Sequence, residues 1–210
     1  MEIDGSGFNV YSNWVSYNGR AEGEGVPNQP WSDGITLLRC DGGWVHDNTL
    51  DNNTDVDLVI GGGFNCRVEH NTIRHVPTAG IAVYGFAGIH VGYFQEGGGD
   101  NSGSTIANNT ITSDTDKLSF GLIVGFHPWD DSIPTVHSGS VVDNLSTYSV
   151  VPLAIDGVLN GEVQRNTAYG RRGTRGYGCT KAEDYTAADS AATSIQGGWV
   201  YRYYHNGSCS

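Results

Sequence analysis

The chain has 210 residues, enough for a single domain with a continuous core that needs neither metals nor dense disulfides. Its 31 glycines are about twice the usual share and only 16% of residues are charged, yet apolar runs such as ITLL, DLVI, IAVY and GLIV recur throughout, which excludes a disordered chain. A net charge of −12 argues against nucleic acid as a partner, and no stretch reaches the roughly 18 apolar residues of a membrane-spanning helix.

The chain opens on MEIDGSGFNV, which has neither the basic nor the apolar region of a secretory signal. Because IDGSGFNV already reads as part of a repeat unit, the chain is expected to begin inside a longer protein. Six units then share one register: Val10-x-x-Asn13, Val45-x-x-Asn48, Val68-x-x-Asn71, Ile106-x-x-Asn109, Val141-x-x-Asn144 and Val163-x-x-Asn166. Two residues past each asparagine stands Val15, Leu50, Ile73, Ile111, Ser146 or Ala168. Successive asparagines are 35, 23, 38, 35 and 22 residues apart, a basic period of about 22 with inserted loops.

The apolar residues alternate in short runs and lack helical spacing, so the units are strands. Asparagine at the bend tolerates the left-handed conformation, and its amide can bond the equivalent residue one coil away. A further strand precedes the units, at 35–37, 58–60, 81–83, 122–124 and 153–155. Three short strands per turn make the coil of a parallel β-helix. Residues 1–170 are expected to form the coils and 171–210 an irregular cap of the same domain, with Arg171, Arg172 and Arg175 marking a solvated exit.

These units resemble the right-handed parallel β-helix superfamily of pectate lyases, polygalacturonases, alginate epimerases and phage tailspikes, over about residues 3–169. The resemblance implies an all-β, single-stranded solenoid of about six or seven coils with an asparagine ladder. It also implies a substrate cleft along the first-strand face, walled by loops. Insertions fall there at residues 18–34, 84–104 and 125–139. The loops offer Trp31, Tyr93 and Trp129, and Tyr84 closes an adjacent strand, as flat surfaces for pyranose rings.

Asp33 in SDGI begins one first strand, and Asp55 and Asp57 in NTDVDLVI stand at the comparable place one coil later. The pattern resembles a polygalacturonase, in which carboxylates on neighbouring coils protonate the leaving oxygen and activate water. That family's GHG is replaced here by TAGIA around Gly80, and its RIK signature does not follow SFGLIVGF. The segment YGFAGIH, Tyr84 to His90, is similar to the YGFDPH of alginate epimerases, with Ala87 in place of the aspartate and no proline. Candidate catalytic residues are therefore Asp33, Asp57, His90, His127 and Asp130. His46 and His70, beside the ladder, are expected to be structural, and His75 lies on the turn leading back to the cleft.

A pectate-type lyase would need an Arg or Lys base beside a Ca²⁺-binding carboxylate cluster. The outward first-strand positions instead read Thr36, Val59, Ala82, Ile123 and Ala154, a row that either lies beneath the loops or meets another subunit. Ca²⁺ is the one cofactor to consider, as the bridge between an acidic chain and an anionic glycan, and no metal-ligand set is assigned. Cys40 and Cys66 are expected to be buried thiols, while Cys179 and Cys209 bracket the C-terminal tail and could close it by a disulfide. The expectation is a secreted or cell-surface protein that binds, and cleaves or epimerises, a uronate-containing polysaccharide. The alternative is a non-catalytic β-helix, either a glycan-binding module or a tail-fibre-like assembly piece.

Overall fold

The computed structural model describes residues 1–19, 31–77, 83–114, 117–125, 136–155, 158, 161–169, 175–176, 195–196 and 200–201. Among them all regular structure is β. Coil one contains β1 (Glu2–Ser6), β2 (Asn9–Tyr11) and β3 (Trp14–Ser16), and coil two β4 (Ile35–Asp41), β5 (Trp44–His46) and β6 (Thr49–Asp51). Coil three contains β7 (Val56–Ile60), β8 (Arg67–Glu69) and β9 (Thr72–His75), and coil four β10 (Gly85–Val91), β11 (Thr105–Ala107) and β12 (Thr110–Ser113). Coil five contains β13 (Leu118–Val124), β14 (Ser140–Val142) and β15 (Leu145–Thr147), and coil six β16 (Val151–Ile155), β17 (Glu162–Gln164) and β18 (Thr167–Tyr169). The short β19 (Arg175–Gly176), β20 (Ile195–Gln196) and β21 (Val200–Tyr201) continue the stack.

Corresponding strands pair in parallel to form three sheets, in the orders β1-β4-β7-β10-β13-β16-β19-β21, β2-β5-β8-β11-β14-β17 and β3-β6-β9-β12-β15-β18-β20. The fold is a parallel β-helix, and its core consists of stacked rows, one residue per coil. Val45, Val68, Ile106, Val141 and Val163 align across the second sheet, and Leu50, Ile73, Ile111, Ser146 and Ala168 across the third. Ile35, Leu58, Ile89, Leu122 and Leu153 form the facing row of the first sheet, all nearly inaccessible to solvent.

The asparagines form the expected ladder at the corner between the second and third sheets. Each Nδ2 donates to the Oδ1 of the next asparagine, from Asn13 to Asn48 (2.9 Å), Asn71 (2.9 Å), Asn109 (3.0 Å), Asn144 (2.9 Å) and Asn166 (2.9 Å). The backbone N–H of each donor residue reaches that same Oδ1. The left-handed bend, however, is not at the ladder residue. Positive φ falls one position earlier, on Ser12, Asp47, His70, Asn108, Asp143 and Arg165. The ladder residue must aim both its N–H and its amide along the stack, so its predecessor makes the corner.

Two further expectations are corrected. Cys40 and Cys66 are joined by a disulfide, with Cα atoms 5.5 Å apart and a sequence separation of 26 that brings them to neighbouring coils. Cys179 and Cys209 lie outside the described residues. The first-sheet strand of coil four is Gly85–Val91 and not 81–83, because Ile89 and Val91 must continue the rows of Leu58 and Ile60. The loop thought to begin at residue 84 therefore begins after Val91.

Moving the strand changes the outer row of the first sheet. It reads Thr36, Val59, His90, Ile123 and Ala154, with His90 where Ala82 was expected; Ala82 itself lies outside the described residues. The row is buried within the chain: Val59, Ile123 and Ala154 cluster with Val56, Ala87, Phe120 and Val151, and Phe94 from the β10–β11 loop packs on them.

Candidate active site

The entry edge of the first sheet, where strands begin, gathers the carboxylates. Asp33 precedes β4 and Asp55 precedes β7, one coil apart. The Asp33 carboxylate accepts from Thr36 Oγ1 (2.6 Å) and from the Val56 N–H (3.2 Å), which ties it to both coils. Asp55 is fixed through its backbone, its N–H donating to the Ser32 carbonyl (3.3 Å) and its carbonyl accepting from Phe86 (2.8 Å) and Ala87 (3.2 Å). Both side chains remain half-buried.

Burial raises the Asp33 pKa, against the hydrogen bonds from Thr36 and Val56 that favour its charged form. Burial also pushes Asp55 up to about 7, and the neighbouring Asp33 charge adds to the shift. Burial first, and the Asp33 charge second, thus disfavour the ionised form of Asp55, which keeps its proton in part at neutral pH. Such a pair can supply a proton from Asp55 and accept one at Asp33.

Asp57 was expected to be one of the acting carboxylates, but it is fully buried. Its Oδ1 accepts from Asn53 Nδ2 (2.7 Å) and its Oδ2 meets His75 Nε2 (2.7 Å). The other ring nitrogen of His75 faces the Val83 carbonyl (3.2 Å), so both nitrogens have acceptors and the imidazolium is the form that satisfies them. Desolvation pulls the His75 pKa down, but the Asp57 charge and these hydrogen bonds outweigh it and leave it raised. The pair bolts the end of β9 to the start of β7. Gly85 permits it, because a Cβ there would collide with the His75 ring at Cε1.

His90 is also out of reach of a substrate. It is 1% exposed, its Nε2 donates to the Gly125 carbonyl (3.0 Å), and burial lowers its pKa to about 4 despite that bond. His46, expected to be structural, is braced at Nδ1 by Asp47 (2.7 Å) and at Nε2 by Asn9 (3.0 Å). Trp31 and Tyr84 are half exposed at the entry edge, and Lys117 Nζ sits 3.9 Å above the Tyr84 ring. Tyr93 follows β10 at the opposite, exit edge, where it packs near Gly99. His127, Trp129 and Asp130 lie outside the described residues.

The entry edge thus brings together Asp33, Trp31 and Tyr84, adds Asp55, and does not include His90 or Tyr93. Asp55 was visible in NTDVDLVI, but strict alternation gives Asp55 and Asp57 one environment. Only the fold reveals that His75 and Asn53 claim Asp57 for the interior. Among the described residues, no group of three or more His, Cys, Asp or Glu side chains could hold a metal, so Ca²⁺ finds no ligand set there. Compared with known protein families, curated proteins and solved structures, the chain matches none of them.

Proposed function

We propose that this protein acts on a polysaccharide at the entry edge of its first sheet, cleaving or epimerising a uronate-containing chain. Asp55 acts as general acid and Asp33 as the proton-accepting partner. The observation that carries this reading is the carboxyl pair on successive coils, both side chains partly accessible, with the Asp55 pKa raised to about 7. Trp31 and Tyr84 supply aromatic faces on the same edge for sugar rings. The parallel coils and asparagine ladder support likeness to the polysaccharide-active β-helix superfamily, although fold alone selects no activity. The buried Cys40–Cys66 disulfide supports a secreted or cell-surface setting.

A second reading, a non-catalytic β-helix that binds glycans or serves in an assembly, draws on the lack of an intact catalytic motif: TAGIA stands around Gly80 in place of GHG, and no RIK follows SFGLIVGF. A glycan array combined with reducing-sugar and unsaturated-uronate assays, and with proton NMR of the uronate C5 configuration to detect epimerised product, separates the two. The first reading expects product from the wild type and a loss of about 10²- to 10⁴-fold in Asp55→Asn with binding retained. Binding without product in the wild type supports the second reading, and full turnover by Asp55→Asn removes Asp55 from the mechanism.

A further inference from the structure

A second face of the molecule carries its own recognition chemistry. At the corner between the second and third sheets, Ser12, Asn13, Trp14, Asp47, Thr49 and Arg74 line an open groove of about 340 Å³, within the range of small-ligand sites. Trp14 is 70% exposed, the most open of the large apolar side chains among the described residues. It stands on β3, a strand paired in register with β6, so its Cα is positioned by sheet and not by loop.

The polar groups around the indole are also held in place. Arg74 Nη2 donates to Asp51 Oδ2 (2.8 Å); the Asp51 side chain is 1% exposed and that of Arg74 41%, so the guanidinium is anchored on one side and open on another. The Asp47 carboxylate contacts His46 Nδ1 at 2.7 Å while its side chain stays 61% exposed. Beside the groove, Tyr11 stacks on His46 (centroids 5.3 Å apart, 6° between planes), His46 on Trp44 (3.8 Å), and the Arg67 guanidinium lies 4.6 Å above Trp44. This stack runs over three coils and ends in the exposed Tyr11 ring.

We propose that this corner is a glycan-binding site for neutral pyranose units, separate from the carboxyl pair and independent of whether that pair is catalytic. The indole of Trp14 covers the apolar C–H face of a ring. The Asp47 carboxylate accepts from one hydroxyl, and the Arg74 guanidinium donates to its neighbour. Asp47 and Asp51 beside a single guanidinium disfavour a uronate carboxylate here, which sets this corner apart in ligand chemistry from the entry edge. The rigid Tyr11–His46–Trp44 shelf extends the surface along the coil axis for a further sugar unit.

Calorimetric titration with cello-, xylo- and mannohexaose, and with tetragalacturonate for contrast, tests the assignment. The wild type is expected to bind at least one neutral hexaose, Trp14→Ala to weaken it by at least about 10-fold, and Asp55→Asn to leave it unchanged. Asp47→Asn, which keeps a residue tolerant of the left-handed backbone at that position, is expected to weaken it by about 3- to 10-fold and decides the matter if Trp14→Ala does not fold. The proposal is overturned if no neutral hexaose binds the wild type at millimolar concentration, if folded Trp14→Ala binds it undiminished, or if tetragalacturonate is the ligand that the Trp14 substitution removes.

Discussion

Asp57 and Asp55 stand two residues apart in opposite environments: Asp57 is paired with the His75 imidazolium, whereas burial, and after it the Asp33 charge, disfavours the ionised form of Asp55. Removing one member of the buried Asp57–His75 pair strands a charge or its hydrogen-bonding partner in the interior. Asp57→Ala is therefore expected to cost about 3–5 kcal/mol in denaturant unfolding, and replacing both members together to cost less than the sum of the single changes. A loss below about 1 kcal/mol would place the pair in contact with water. Asp55 has the opposite energetic sign. Its folded pKa of about 7 lies above that of the unfolded chain, so the native state binds the extra proton and stability falls as pH rises through that interval. His75, with its own folded pKa raised, contributes stability that is present below the unfolded histidine value and is lost as pH climbs past the folded one. The wild type is expected to melt higher at pH 5.5 than at pH 8.5, and Asp55→Asn to narrow the difference by raising the melting temperature at pH 8.5. An unchanged difference in Asp55→Asn would contradict the strained state of this carboxyl.

The strands and their rows were legible because the β-helix repeats one decision per coil. Val45, Val68, Ile106, Val141 and Val163 could be aligned on their asparagines alone, and the structure stacks them in that register. What the repeat could not reveal was which residue bends. The spacing is the same whether the asparagine or its predecessor takes positive φ, and only the geometry of the amide ladder decides. The bend residues vary from Ser12 to Arg165, since the requirement is on the backbone and not on side-chain chemistry. His70→Val, a β-branched residue at φ 56°, is expected to destabilise by about 1–2 kcal/mol, whereas His70→Gly should not. Asn71→Ala removes acceptors for the Asn48 N–H and amide and a donor to the Val45 carbonyl, and is expected to cost about 1–3 kcal/mol. Thermal melts of Asn71→Ala and Asn13→Ala side by side should show the larger loss at the interior position. Equal, negligible losses would mean that the amides do not staple the coils.

For the whole molecule, the coil count and the parallel stacking followed from the period, but cross-coil pairings did not. Cys40 and Cys66 occupy apolar-patterned repeats, where a buried thiol and a half-cystine read alike, and only the alignment of β4 with the turn before β8 makes them neighbours. Cys40→Ala/Cys66→Ala is expected to lose roughly 3.5 kcal/mol on the chain-entropy account for this loop, read from the shift in urea midpoint. The site was half legible for a similar reason. Trp31 and Asp33 were legible from the turn-rich stretch that leads into β4, whereas Tyr84 and His90 were misplaced with their strand, Tyr84 preceding β10 where it was expected to close a strand, and the contrast between Asp55 and Asp57 depends on His75, 18 residues beyond Asp57. The central claim is that burial at this edge, with the Asp33 carboxyl of the preceding coil adding to it, raises the Asp55 pKa to about 7. Carbon-detected NMR titration of the aspartate side chains measures this without any substrate. One carboxyl, lost in Asp55→Asn, should titrate at about 7 in the wild type and move to lower pH in Asp33→Asn. A wild type in which every observable aspartate titrates in the ordinary carboxylate range, or an Asp55 signal unmoved by Asp33→Asn, would contradict it.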